Sequence, residues 1–190
     1  MTRFTVAADG SLSDNGAAIV APAQIEHSRL QVEHLAPHIL TITLPKGERV
    51  NILVVYSCHC WSEGFEDTKH DGQMKIKDGT RSRAFCPDRF IASKNLRELL
   101  EGLPRNKIYL TRSDRNYGTY NATKIFEHGT AYTAFFTLKA QKGRFDGIRH
   151  KLRLFVESAY SCPQPEVGQT VKAAAMVGQA LKGTKVKYYR

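Results

Sequence analysis

The sequence has no hydrophobic stretch that approaches the roughly 18 apolar residues of a membrane-spanning helix. Its N-terminus lacks the basic region, the apolar region and the small-residue cleavage site of a secretory signal. Cysteine is also scarce. There are four in 190 residues, and three of them lie between positions 58 and 86, unlike the dense disulfide framework of a small secreted protein. These absences predict a soluble, cytoplasmic protein whose thiols are reduced or hold a metal.

Complete catalytic and nucleotide-binding motifs are absent as well, and acidic residues are scarce in the second half of the chain. Residues 1–50 hold four basic and five acidic side chains, and residues 51–104 hold eight of each. Residues 105–190 hold sixteen basic and five acidic side chains, so this segment carries a net charge of +11. A neutral half followed by a polycationic half indicates a polyanionic partner for the second half.

The most apolar run begins at Asn51 and stops at a cluster of cysteine and histidine, Cys58-His59-Cys60. Apolar residues without alternation predict a strand that is buried on both faces. The segment 38–44 partly alternates, and the turn residues 45–48 separate it from this strand. We therefore expect a hairpin that brings His38 into the same sheet.

A second hairpin is predicted around Asp78-Gly79, which stands between the alternating segments 73–77 and 80–86. A two-residue Asp-Gly turn would place Lys77 opposite Thr80 and Asp71 opposite Cys86. This register would bring His70 close to Cys86.

The second half of the chain has the pattern of an antiparallel meander. A capping-box spacing at 95–98 opens a short amphipathic helix, and strands are predicted over 107–112, 120–126, 132–139 and 149–160. In the last strand, alternation predicts one face made of His150, Leu152, Leu154, Val156 and Ser158. The predicted fold class is α+β, mostly antiparallel β-sheet with one or two short helices. The predicted domain is 1–162, with a neutral half 1–104 and a basic meander 105–162, followed by a basic tail 163–190 with a short helix over 171–181.

A metal site is predicted from the cysteine cluster, with zinc as the metal and Cys58, Cys60, His70 and Cys86 as ligands. His59 is a substitute ligand. Cys58 and Cys60 bracket a single residue, so both can bind one ion only if the chain bends at His59. Two alternatives are buried cysteines that act as small hydrophobes, and a nucleophilic cysteine paired with His59 or His70.

A nucleic-acid interface is predicted on the outer face of the C-terminal sheet, where cations for phosphate contacts mix with aromatic rings for base stacking. Its candidate residues are Lys107, Tyr109, Arg112, Arg115, Tyr117, Lys124, Lys139 and Lys151. RNA is preferred to DNA because no helix has the basic pattern of a major-groove reader. The alternative is an ordinary solvated face with the aromatic rings packed beneath it.

The same half has residues for metal-independent RNA cleavage, since histidines can transfer protons and arginines can stabilise a phosphorane. The candidates are His150, His128, Arg149, Arg153 and Tyr160. A helix followed by such a sheet, over roughly residues 94–160, broadly resembles the small ribonuclease toxins related to RelE and barnase, although no diagnostic motif is matched. The resemblance implies an endoribonuclease. A protein-interaction module for an acidic partner, with a structural cysteine cluster, is the alternative function.

Overall fold

The structure is a computed structural model that describes residues 4–7, 10–14, 17–19, 25–70, 75–111, 119–125, 131–162 and 168–184. In this part of the chain there are fifteen strands and three α-helices. The strands are β1 (Phe4–Val6), β2 (Leu12–Asp14), β3 (Ala17–Ile19), β4 (Ile25–Glu26), β5 (Leu30–Gln31), β6 (His38–Thr43), β7 (Arg49–Tyr56), β8 (Ser62–Gly64), β9 (Ile76–Asp78), β10 (Arg81–Phe85), β11 (Ile108–Leu110), β12 (Thr119–Ile125), β13 (Ala131–Phe145), β14 (Ile148–Cys162) and β15 (Thr170–Val171). The helices are α1 (Pro87–Ser93), α2 (Leu96–Glu101) and α3 (Ala173–Leu181), and short 3₁₀ helices cover His27–Arg29, Glu33–Leu35 and Cys58–Cys60.

The strands form three mixed sheets, and the predicted fold class is wrong in this respect. The largest sheet has the order β15-β11-β12-β13-β14-β7-β6, and the two smaller sheets have the orders β3-β2-β1-β5 and β4-β9-β10-β8. Each sheet contains one parallel pair among the described strands, namely β14 with β7, β1 with β5, and β4 with β9. Parallel pairs join strands that are distant in the sequence, whereas the local hairpins that alternation predicts are antiparallel. The molecule is a mostly β, single-domain α+β protein with three helices in the described residues, and the sequence predicted one or two.

Most of the core lies on one face of the seven-stranded sheet, and the first six residues of β13, residues 131–136, are buried on both faces. Along β7, Val50, Ile52 and Val54 are fully buried, while the residues between them are only partly buried, so this strand is not buried equally on both faces. The buried face continues through Leu152 and Leu154 of β14. Helix α2 contacts β12, and α3 contacts β13, β14 and β6. The predicted C-terminal helix is therefore part of the domain.

The predicted hairpin at the start of the sheet is confirmed. β6 and β7 pair antiparallel, with His38 opposite Val54. The predicted helix near residue 95 is also present as α2, but the Asn95 side-chain amide donates to the Ala92 carbonyl at 3.2 Å and does not cap α2. Helix α1 begins at Pro87 and has no counterpart among the predicted helices. Proline is favoured at the first helical position, so the pair Pro87-Asp88 indicates a helix start.

The Asp78-Gly79 hairpin exists, but its predicted register is wrong. Asp78 lies opposite Arg81, and Lys77 lies opposite Ser82. The two loop residues are therefore Gly79 and Thr80. Gly79 has φ of +60°, and Asp146 is the one non-glycine residue at positive φ in the described ranges, so the turn has the glycine-first pattern of type II′. The predicted pairing of Asp71 with Cys86 falls on a residue outside the described ranges.

Two register shifts in the longest hairpin, β13–β14, change which residues lie on each face of the sheet. Phe135 lies opposite Ser158 and Phe136 lies opposite Val156, so Glu157 is an extra residue in β14. Alternation from His150 to Val156 is as predicted, but Ser158 leaves the buried face beyond the bulge and Ala159 takes its place. The second irregularity lies between Ala140 and Gly143 on β13.

The longest described helix is α3, and none of the described helices has the length and hydrophobicity of a membrane-spanning segment.

Because β14 lies between two other strands of the large sheet, shortening one of its buried side chains should destabilise the protein strongly. Leu154 is fully buried between Leu138 and Val54 on the neighbouring strands. We expect Leu154→Ala to lower the free energy of unfolding by about 2–5 kcal/mol, because it leaves a cavity that the sheet cannot close. Urea denaturation measures this change. The exposed Lys142→Ala on the same hairpin is the control and should stay within about 0.5 kcal/mol. Equal effects of the two variants would contradict the pairing of β14 at the sheet centre.

Candidate functional site

The structure does not bring the four predicted zinc ligands together. Cys58 and Cys60 are buried in one 3₁₀ helix, and the Cys60 thiol points to the Val156 carbonyl at 3.9 Å. His70 is buried, with Nδ1 accepting from the Glu66 N–H at 2.9 Å and Nε2 lying 3.1 Å from Glu63 Oε1. Cys86 is half-buried and directly precedes α1. In the described ranges, these residues do not form one ligand group.

A different group of potential metal ligands forms around Cys58. One ligand atom each from His27, Cys58 and Asp78 lies within 4.8 Å of the other two. His27 begins a 3₁₀ helix directly after β4, Cys58 begins another after β7, and Asp78 ends β9. The parallel pairing of β4 with β9 brings the first and third segments together. We call His27, Cys58 and Asp78 the cysteine–histidine–aspartate cluster.

This cluster is not predicted by the sequence pattern, for two reasons. His27 lies in the N-terminal region, which has weak periodicity and gave no predicted role. Asp78 was assigned to a turn, whereas the observed register makes it the last strand residue, on the same face as the buried Ile76.

Hydrogen bonds fix the surroundings of Cys58. His59 Nε2 lies 3.0 Å from Asp78 Oδ2, and the Ser57 hydroxyl accepts from the His59 N–H at 3.2 Å. The Ser62 hydroxyl donates to the Cys58 carbonyl at 2.7 Å and accepts from Arg83 Nε at 2.8 Å. Arg83 also donates to the Ser62 carbonyl at 2.7 Å, so this buried guanidinium is bound on two sides.

Burial dominates the protonation of this region. It raises the pKa of the Cys58 thiol to about 11, with the Asp78 carboxylate adding to the shift and Arg83 opposing it. Burial also lowers the pKa of His27 and of His59, which favours neutral imidazoles. A fully buried, protonated thiol is a poor nucleophile, so the geometry does not favour the predicted alternative of a catalytic cysteine.

The predicted catalytic residues do not share one site. His150 is buried, and its Nδ1 lies 3.1 Å from the Gln141 carbonyl oxygen, in the irregular segment of β13. Arg149 and Arg153 lie on the opposite face of β14, where they are exposed and half-buried, respectively. Tyr160 stacks on Phe135 with ring centroids 5.3 Å apart. His128 lies outside the described residues.

A strongly basic hairpin extends from the centre of the large sheet, and we call residues 139–153 the basic hairpin. Its turn is Asp146-Gly147, with φ of +46° and +77°, closed by the pair Phe145 and Ile148. Two consecutive positive φ values are typical of a type I′ turn. This second Asp-Gly pair carries the same sequence signal as Asp78-Gly79, but no hairpin was predicted there.

Some predicted nucleic-acid contacts lie on this hairpin and others lie elsewhere. Lys139 and Lys151 are exposed on the hairpin, and Lys151 Nζ pairs with Glu48 Oε1 at 2.9 Å. Lys107 is exposed and Tyr109 is half-buried near β11. Lys124 belongs to β12, and its side chain is not described, while Arg112, Arg115 and Tyr117 lie outside the described ranges.

The hydrogen bonds of the Ser62 hydroxyl predict that removing this hydroxyl lowers the stability of the protein. Ser62→Ala leaves Arg83 Nε and the Cys58 carbonyl without their hydroxyl partner in a buried region. We expect the free energy of unfolding to fall by about 1–3 kcal/mol, since an unsatisfied buried polar group keeps its desolvation penalty. Thermal and urea unfolding measure the loss. Ser82→Ala, at an exposed position of β10, should change stability by less than about 0.5 kcal/mol. Similar stabilities for the two variants would refute the role of the hydroxyl.

Comparison with known proteins identifies one family. A protein from Escherichia coli (strain K12), named Protein YjaZ, is 28% identical over 124 residues, which cover 63% of this chain and 64% of that relative. The alignment thus spans less than two thirds of either protein. No solved structure matches the chain. The family model described as the YjaZ family matches residues 22–181, which include the cysteine–histidine–aspartate cluster, the basic hairpin and α3. The chain therefore belongs to the YjaZ family.

Proposed function

We propose that this protein binds RNA or another single-stranded nucleic acid through the basic hairpin. The observation that carries the proposal is the alignment of like charges across this hairpin. Lys139 lies directly opposite Arg153, and Arg144 lies directly opposite Arg149. Like charges at directly opposed positions destabilise an antiparallel pair, so a bound polyanion would relieve a cost that the free protein carries.

The charge balance of the hairpin supports the same conclusion. Residues 139–153 contain six basic side chains and one acidic side chain, Asp146. Within the described residues, Lys151 is the member with a close carboxylate, from Glu48 on the neighbouring turn. Neighbouring cations on the same side of a strand are about 6.5–7 Å apart, which leaves room for a phosphate between them. Binding would therefore depend strongly on salt.

Apolar and aromatic side chains beside the cations favour single strands over a duplex. The Arg153 guanidinium lies 5.0 Å from the centroid of the Phe155 ring. At the hairpin tip, Phe145 is half-buried and Ile148 is 45% exposed. Aromatic rings next to cations are typical stacking platforms for unpaired bases. A two-stranded ribbon also fits the major groove of DNA, so duplex DNA is a necessary comparison.

Cleavage of the bound RNA stays a prediction. In the described ranges, His150 is the histidine nearest to Arg149 and Arg153, and its ring faces the opposite side of β14. This placement supports binding by the arginines and offers no base beside them. Incubation of RNA with the protein in EDTA tests the prediction, because metal-independent cleavage would persist in the chelator.

The salt dependence of binding tests the proposed interface. Fluorescence anisotropy with labelled single-stranded RNA, at several salt concentrations, gives the slope of log affinity against log salt. Each phosphate contact contributes about 0.7 to this slope for single strands, so replacing Lys142, Arg144 and Arg149 together with Gln should reduce it by about 2. The same experiment with duplex DNA compares the two ligands.

The matched control replaces three exposed cations outside the basic hairpin, Arg105, Lys172 and Lys182, with Gln. This variant has the same net charge as the hairpin variant and should keep most of the wild-type slope. Equal losses in both variants would mean that net charge, not the hairpin, determines binding. A wild-type protein that binds no nucleic acid at low salt would refute the proposal and favour the alternative of an acidic protein partner.

A further inference from the structure

The cysteine–histidine–aspartate cluster is distant from the basic hairpin and has no part in the function proposed above. Its three residues come from segments that are 31 and 20 positions apart in the chain, yet one ligand atom of each lies within 4.8 Å of the others. We propose that His27, Cys58 and Asp78 bind a zinc ion, and that His59 holds Asp78 in position.

The donor atoms fit zinc. An imidazole nitrogen, a thiolate sulfur and a carboxylate oxygen are the three protein donors that zinc accepts, at about 2.0–2.3 Å. In a tetrahedral site, ligand atoms at these distances are about 3.3–3.8 Å apart. The observed limit of 4.8 Å exceeds this by about 1 Å, which small side-chain rotations can close.

The charges of the cluster also fit a divalent cation. Cys58 is fully buried, and an ion bound there would sit in a region with few water molecules to share its charge. One thiolate and one carboxylate together balance the charge of Zn²⁺, so the ion and its three ligands would be neutral together, with the buried Arg83 as a neighbouring cation. A neutral site avoids the large cost of an uncompensated buried charge.

Hydrogen bonds from residues outside the cluster orient two of the three ligands, Asp78 and Cys58. His59 Nε2 lies 3.0 Å from one carboxylate oxygen of Asp78, which leaves the other oxygen for a metal. The Ser62 hydroxyl bonds to the Cys58 carbonyl at 2.7 Å and fixes the turn that carries the thiol. Metal ligands are usually held by such outer hydrogen bonds. Cys60 and His70 have other partners in the described structure, so neither is proposed as a ligand.

Three protein ligands leave one tetrahedral position for water or another small ligand, as in catalytic zinc sites. His27 also lines a cavity of about 290 Å³, together with Leu35, Val55, Tyr56 and Trp61. A small molecule in this cavity would contact one of the proposed ligands. The geometry therefore favours an exchangeable fourth ligand over a closed four-residue site.

Metal analysis of the full-length, tag-free protein tests the site. After removal of metal and addition of zinc, elemental analysis should find one zinc per chain. Titration with Co²⁺ should give the intense visible bands of tetrahedral cobalt and a thiolate-to-cobalt charge-transfer band. Cys58→Ser should abolish the charge-transfer band, and Asp78→Asn should lower the zinc affinity measured against a chromophoric chelator.

The variant His59→Gln separates positioning from ligation. Loss of an outer hydrogen bond should lower the affinity for zinc by about 10–100-fold while the charge-transfer band is kept. Cys86→Ser and His70→Gln are the matched controls, because they remove the same chemical groups outside the cluster. Both should retain one zinc per chain and the wild-type cobalt spectrum.

Circular dichroism checks that each variant is folded. If Cys58→Ser does not fold, His27→Gln at its half-buried position provides the ligand test and should lower the zinc affinity. Wild-type protein with well under one zinc per chain would overturn the proposal. An unchanged cobalt spectrum in folded Cys58→Ser, or unchanged zinc affinity in folded His27→Gln, would also overturn it. Loss of zinc in Cys86→Ser would assign the site to the other cysteines and overturn the proposed ligand set.

Discussion

The parallel pairing of β7 with β14 is the interaction on which the rest of the structure depends. It runs from Ile52 opposite Leu152 to Tyr56 opposite Val156, and it joins the N-terminal hairpin to the C-terminal meander in one sheet. Both ends of the pair carry additional bonds. At one end the Asn51 side chain donates to the Arg149 carbonyl at 3.0 Å, and at the other the Ser57 N–H donates to the Val156 carbonyl at 2.9 Å. Without this pair, the two halves of the chain would share far less core.

The same pairing places the two candidate sites at opposite ends of one strand pair. Because the strands are parallel, the basic hairpin lies at the start of the pairing, which begins with Leu152 opposite Ile52, while Cys58 follows the end of β7. Arg149 lies seven positions before Val156, a distance of about 23 Å along β14. This exceeds the Debye length of about 8–10 Å in ordinary buffers, so the exposed charges of Arg144 and Arg149 near the hairpin tip have little effect on the buried cluster. Nucleic-acid binding and zinc binding can therefore be tested independently.

Local patterns in the sequence predicted the elements well, and long-range pairing poorly. The strands of the meander, the hairpin at His38 and the helix α2 follow from alternation and turn residues, which act between neighbours in the chain. The parallel partner of β7 lies about ninety residues away, and no local pattern encodes that choice. Similarly, Glu157 is an extra residue in β14 that moves Ser158 off the buried face. A prediction from strict alternation of side chains cannot detect such a bulge. The position of His27 depends on the pairing of β4 with β9, which is again non-local.

The two Asp-Gly pairs show how a turn type determines the use of a side chain. In Asp146-Gly147 both residues form the loop, and Asp146 takes a positive φ in the turn of the basic hairpin. In Asp78-Gly79 the loop is shifted by one residue, so Asp78 remains in the strand opposite Arg81. Because strand residues alternate, this shift puts Asp78 on the side of the buried Ile76, where its carboxylate meets His59. If Asp78 and Gly79 were the two loop residues of a type I′ turn, Asp78 would leave the strand and would no longer lie beside Cys58. The glycine-first turn is thus a structural requirement of the cysteine–histidine–aspartate cluster.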